Sequence, residues 1–378
     1  MLTTIVAFVV ALIYFFLGSF PLANLALIAP LTGALCFVMT VIAISWAIIP
    51  LQKTARHITS YVISCFRLDM RVNLSILIAF LYAFLTFVVN IEGKIFTVAW
   101  IIFLGLAMDA TLYILRRALI FNDPHALLNE ISKSSSMYWD VYSRLDALTE
   151  AAYKAFIEGQ LALSEASLEH IEEVIEVHLD KEGKQEKQPG ELNYFLCYIF
   201  QHLDPLLHEA VVYHCDPIVS KIVVLSGKIA LHLFHVRPEE ISLPIHYLGE
   251  YATTAIDQDL PEVGIKGTVT LQTIAREILK ENNLEKTNLK EIFFILIDHL
   301  DVISKATFKK DKTTNIMLLQ EPFKDLLELF RAEEIKNHPD TAAIQMELVR
   351  VLAEYQALEN VMLTMPSGLS GFKPQESM

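Results

Sequence analysis

Residues 74–117 read LSILIAFLYAFLTFVVNIEGKIFTVAWIIFLGLAMDATLYILRR: two apolar runs, 74–91 and 95–115, joined through Glu92-Gly93-Lys94 and closed by Arg116-Arg117. Each run is about 18–21 residues, the length of α-helix that crosses a hydrocarbon core of about 30 Å at about 1.5 Å per residue. A polar turn this short between them predicts an antiparallel pair of transmembrane helices. The one ionisable group inside either run is Asp109.

The same pattern stands upstream. Apolar runs at 2–20 and 25–49 are separated by Gly18, Ser19, Pro21 and Asn24, which predicts a second helical hairpin and a four-span transmembrane domain over residues 1–121. Pro30 either kinks the second span or marks its start near Leu31. A rival reading makes residues 1–23 a cleaved signal peptide with Leu22-Ala23 near the cut. No Lys or Arg precedes that run and it exceeds the usual 7–15 residues, so four spans is the better account.

Basic residues set the orientation. Lys53, Arg56, Arg67 and Arg71 lie between the second and third spans and Arg116-Arg117 ends the fourth, while Glu92 and Lys94 stand on the other side. The positive-inside rule then places that link, the N-terminus and the C-terminal domain in the cytoplasm, with Trp46 and Trp100 near the two interfaces. The link 52–73, with Ile58, Val62, Ile63, Cys65 and Phe66 among basic and polar positions, reads as an amphipathic helix. It either lies on the inner leaflet with its charges near anionic lipid or docks on the soluble domain. Asp109 is a candidate intramembrane functional residue, since an ionisable group in a span defaults to that role; the plainer expectation pairs it with Arg116. Thr86, Asn90 and Thr111 read as hydrogen-bonding glue between helices.

Charge divides the chain in two. Over 378 residues, 30 Lys and Arg stand against 44 Asp and Glu for a net of −14. Residues 1–121 carry +4 and residues 122–378 carry −18. An ordinary soluble enzyme, a disordered chain and a disulfide-stapled secreted domain are excluded by the membrane half and by the composition. The acidic half repels nucleic acid.

That acidic half is predicted to be all-α. Prolines recur where helices should begin, at Pro124, Pro205, Pro217, Pro238, Pro261 and Pro339, because the first helical position needs no N–H partner. Stretches 217–236, 243–258, 261–282, 288–305, 316–332 and 339–362 carry apolar residues at helical spacing. The expected organisation is a helical connector over 122–191, containing one or two long amphipathic helices over 138–180 and a flexible charged loop at 180–191. An α-helical domain follows over 192–362, then a flexible tail over 363–378. Residues 241–282, with Gly249, Ala252, Gly264 and Gly267 available for close helix approach, resemble a HEAT-type helical repeat. That resemblance implies an α-solenoid of helix pairs with a surface for other macromolecules. A compact, non-repeating bundle is the alternative.

Chemistry leaves few marks. His202, His208, His214, His232, His235, His246 and His299, with Cys197, Cys215, Asp204, Glu209 and Asp216, invite a metal reading, but no His-x-x-x-His or Cys-x-x-Cys spacing occurs among them. Asp298-His299-x-Asp301 reads as part of a solvated stripe. Phosphate-loop, dinucleotide, nucleophile-elbow and zinc-protease motifs are missing, so neither a cofactor nor a catalytic residue is expected. The functional expectation is a non-enzymatic membrane-anchored scaffold. It contacts membrane lipid and, through its cytoplasmic domain, a protein partner or a second copy. The runner-up is a small oligomeric channel or transporter with a regulatory domain.

Overall fold

The computed structural model describes residues 2–17, 25–88, 94–133, 140–182, 191–280, 288–310, 316–331 and 338–364. The joints at 18–24 and 89–93, residues 183–190 of the charged loop, and the tail from 365 onward lie outside the described residues. Among the described residues every element is a helix and no strand occurs. The chain separates into two compact units, Met1–His170 and Ile171–Met378.

The first unit is built from α1 (Leu2–Leu17), α2 (Leu25–His57), α3 (Tyr61–Leu68), α4 (Met70–Val88), α5 (Lys94–Asn122), α6 (Pro124–Lys133) and α7 (Val141–Ile157). At about 1.5 Å per residue, α2 and α5 are roughly 50 and 44 Å long, and both carry polar residues at their C-terminal ends. Pro30 lies inside α2, in its second turn. Helix α5 is central, packed on α1, α2 and α4. Helices α2 and α4 run antiparallel, with the Phe37 and Phe80 rings 5.4 Å apart and Gly33 facing Thr86. Helices α2 and α5 run parallel: Cys36 clusters with Ala107, the Thr40 and Thr111 hydroxyls are 3.2 Å apart, and Thr54 donates to Asn122 at 3.3 Å. The main partner of α1 is α5, not its chain neighbour α2. The reason is steric: Gly105 lets α1 approach so closely that a Cβ there would sit 2.5 Å from the Ala7 Cβ.

Much of what the apolar stretches of α1, α2, α4 and α5 bury is small, alongside larger residues such as Tyr82 and Ile114. Along α2 the interior stripe is Ala29, Gly33, Cys36, Thr40, Ala43 and Ala47, whereas Leu31, Leu35, Trp46 and Ile49 are 63–73% exposed. The link 52–73 is not one surface helix: α2 continues to His57, a turn follows, and α3 and the start of α4 complete it. Val62 and Phe66 of α3 face inward, Phe66 edge-on to Phe121 at 6.0 Å, while Ile63 and Arg67 face out.

Helix α8 (Leu161–Glu182) contains the division between the units. The long helical region predicted over 138–180 is thus two helices, broken at Gly159, whose φ of 75° suits glycine. Asp140 caps α7 by accepting from the Ser143 N–H at 2.8 Å.

The second unit continues through α9 (Glu191–Val212), α10 (Asp216–Val236), a 3-10 turn (Pro238–Glu240), α11 (Ser242–Asp257), α12 (Pro261–Lys280), α13 (Leu289–Lys310), α14 (Ile316–Arg331) and α15 (Thr341–Thr364). Prolines 124, 217 and 261 do open helices, but Pro205 lies inside α9. The missing N–H costs one intrahelical bond there, and the preceding Asp204 does not cap a helix; it accepts the Tyr251 hydroxyl of α11. Helices alternate between two rows: α11 lies against α9 and α13, α13 against α15, and α12 against α10 and α14, while each also packs on its chain neighbours. The core is large and aliphatic or aromatic, including Phe195, Phe200, Phe293, Phe323 and Phe330. Small residues sit at the closest approaches, as their sequence positions suggested: Gly267 lies on Ala252, and Gly249 lies under the His299 ring.

One pairing recurs. Asp204 of α9 takes the Tyr251 hydroxyl of α11, and Asp301 of α13 takes the Tyr355 hydroxyl of α15 at 3.0 Å. Both acids end a His-Leu-Asp triplet, 202–204 and 299–301, and both tyrosines follow a Leu-small-Glu triplet, 248–250 and 352–354. The same polar rung therefore joins equivalent helices twice.

Candidate functional site

Asp109 is turned toward α1. Its carboxylate accepts from the Thr4 N–H at 3.0 Å and from the hydroxyls of Thr3 and Thr4. Thr3 Oγ1 also reaches the Gly105 carbonyl at 3.3 Å. The first N–H groups of any helix lack intrahelical acceptors; Asp109 supplies one for α1 from another helix. It does not pair with Arg116, which lies two turns along α5 and is exposed. A carboxylate held in this way caps the first turn of α1.

A second polar cluster joins the α2–α3 turn to α7. Glu150 accepts from the hydroxyls of Thr59 and Ser60 at 2.7 and 3.0 Å, from the Ser60 N–H at 3.0 Å, and pairs with Lys154 at 2.9 Å. Burial by itself raises the Glu150 carboxyl, but these donors outweigh it and hold the group below its ordinary value. Tyr61 donates to Asp146 at 3.1 Å. Its burial, together with that carboxylate, pushes the phenol up to about 12. Lys154 also donates to the Ala55 carbonyl at 3.1 Å, and His57 meets Glu158 at 2.7 Å. Two acids of α7, with Glu158 just past its end, thus hold one turn of the first unit. Sequence periodicity marks these acids only as a polar helix face.

In the second unit the histidine-rich region disperses. His202 stacks on Tyr198 and its Nδ1 lies 2.8 Å from that residue's carbonyl. His232 meets Asp180 at 3.0 Å. Only His246 and His299 meet each other, Nδ1 to Nε2 at 3.3 Å. They line an open cleft of about 750 Å³ between α9, the start of α11 and α13, together with Cys197, Glu239, Glu240 and Asp298. Burial and the neighbouring His246 push the His299 imidazole down, against a smaller opposing pull from Asp298. Among the described residues no group of three His, Cys, Asp or Glu could hold a metal ion. Asp301 is engaged by Lys305 at 2.5 Å and by Tyr355, so the Asp298-His299-x-Asp301 motif splits between the cleft and the rung.

Three helices are long and apolar enough to cross a membrane: Ile28–His57, Ile95–Asn122 and Asp216–Val236. The last is 61% buried inside the second unit and reads as a core helix; Thr3–Ile13 and Met70–Thr86 are shorter apolar helices. No protein-family model matches the chain, and comparison with curated proteins and with solved structures finds no match.

Proposed function

We propose that the chain is a four-span membrane protein, with α1, α2, α4 and α5 crossing the bilayer and both termini in the cytoplasm. Its acidic helical half serves as a solenoid-like platform for a protein partner or a second copy. The observation that carries the membrane part is the inverted packing of the first unit. Its helices meet through Ala, Gly and Thr and turn Leu, Ile, Phe and Trp outward, the arrangement expected where lipid tails replace water and small residues permit close approach. Two rows of alternating helices and the repeated Asp–Tyr rung support the platform reading.

The test uses native membranes. Alkaline carbonate should leave the protein in the pellet, and protease added to sealed vesicles of cytoplasmic-side-out orientation should remove the acidic half. Chemical cross-linking should then link side chains of α9–α15 to another polypeptide. Release by carbonate sinks the membrane reading, and cross-links confined within one chain sink the platform.

A further inference from the structure

Seven Lys and Arg residues stand in the membrane half, and the structure treats two adjacent ones in opposite ways. Arg117 points inward. Its guanidinium meets Asp69 at 2.7 Å and Glu130 at 2.5 Å and lies 4.7 Å over the Phe121 ring. Arg116 points outward and has no ion-pair partner among the described residues. Arg67, at the end of α3, and Arg71, in the first turn of α4, are likewise exposed, and neither side chain has an ion-pair partner among the described residues.

Asp69 explains why. It is the one acid within the link, flanked by Arg67 and Arg71, and it would neutralise them if it faced outward. Its Oδ1 instead accepts the N–H groups of Arg71 and Val72 at 2.9 and 3.3 Å, capping α4. Its Oδ2 is held by Arg117. Asn73 donates to the Arg67 carbonyl at 2.9 Å and draws that residue back toward α4. Arg67 and Arg71 thus flank Asp69 in the chain and Arg116 adjoins Arg117, so the Asp69–Arg117 ion pair brings the stretches that carry the three exposed arginines to one joint of α3, α4 and α5 while occupying the acid that lies among them. The cluster borders the outward apolar surface directly: Ile63, Met70, Leu74 and Leu112 are 42–73% exposed within a turn or so of an arginine.

We infer that this arginine cluster binds the phosphate of an anionic phospholipid headgroup in the cytoplasmic leaflet. The inference rests on the membrane reading above and adds the lipid class and the residues. Planar guanidinium forks suit a phosphodiester, and adjoining apolar side chains give the acyl chains of the same molecule a place to lie. A soluble phosphate would gain nothing from those side chains, so lipid is the occupant.

The experiment takes the full-length protein in detergent, supplied with equal amounts of phosphatidylglycerol and phosphatidylcholine, and counts retained lipid by native mass spectrometry. Wild type should retain phosphatidylglycerol preferentially. Each of Arg67→Gln, Arg71→Gln and Arg116→Gln should reduce that preference by up to about fivefold at low salt, and the triple variant should abolish it. The triple Arg→Lys variant, which keeps the charge, controls for folding and should retain most of the preference. Equal retention of both lipids by wild type, or an undiminished preference in the triple Gln variant, overturns the inference. Displacement of phosphatidylglycerol by millimolar inorganic phosphate overturns it too, in favour of a free anion. Carbonate extraction of the same membranes separates the two claims: protein that stays in the pellet but shows no lipid preference loses only this inference.

Discussion

The two units solve opposite packing problems with the same secondary structure. In the first, Gly33 of α2 lies where an added Cβ would be 1.7 Å from the Thr86 hydroxyl, and Phe84 of the same α4 helix is 63% exposed. In the second, Phe293 and Phe330 are fully buried with ring centroids 4.7 Å apart. In water, apolar area drives burial, so large side chains go inside. Where the surroundings are themselves apolar that drive vanishes between helices, and contact through small residues and hydroxyls takes over. Helical propensity is common to both units; the identity of the buried residue tells them apart.

The sharpest way to break this contrast is to make one substitution in both places. Phe293→Ala should cost the second unit about 3–5 kcal/mol, read as a fall in its unfolding temperature and faster proteolysis, whereas Phe84→Ala should leave the first unit almost unchanged. Equal losses would end the distinction. Next in size, Gly33→Val should cost the first unit roughly 1–3 kcal/mol through overpacking against Thr86, measured as thermal stability in detergent. A neutral result would mean that α2 and α4 do not meet there.

Asp109→Leu should follow, at about 1–3 kcal/mol, because it leaves the first turn of α1 without an acceptor. Asp109→Asn, which keeps one carbonyl oxygen, should lose less. A lower unfolding temperature of the first unit in detergent, larger for the Leu variant than for the Asn variant, would report it. The smallest effect concerns pH. The His299 imidazole is pushed below its ordinary value in the folded state, so the unfolded chain takes up the proton first. Stability of the second unit should therefore decline as pH falls through about 6.5. Glu250 lies 3.8 Å from the far nitrogen of His246. A His299→Gln variant should flatten the slope; an unchanged slope would assign it to another group.

Much of this architecture was legible in the sequence, and the limit of legibility has a physical basis. Stretches such as 261–282 and 316–332 fall within two residues of α12 and α14, because apolar spacing and breakers act locally. The small residues Gly249 and Gly267 are found at close approaches because little else fits there. What spacing cannot supply is the partner. Asp109 and Thr4 are 105 residues apart, His246 and His299 are 53, and Tyr251 and Asp204 are 47. Periodicity assigns each to a face without saying which face opposes it. Pro205 lies inside α9 rather than at a helix start for the same reason: the Asp204 before it serves a tertiary bond to Tyr251 that local spacing does not reveal. One signal for the Asp109 contact was present, since the first apolar run opens on Thr3-Thr4 with no acidic residue nearby.

The capping of α1 by α5 also has a consequence in time. A ribosome making about 5–20 residues per second adds Thr4 roughly 5–20 s before it adds Asp109, 105 residues later. Until then the opening turn of α1 has no acceptor from its eventual neighbour. Helix α1 is thus among the last parts of its unit to settle, and any chain interrupted before Asp109 carries an α1 that cannot reach its final seat.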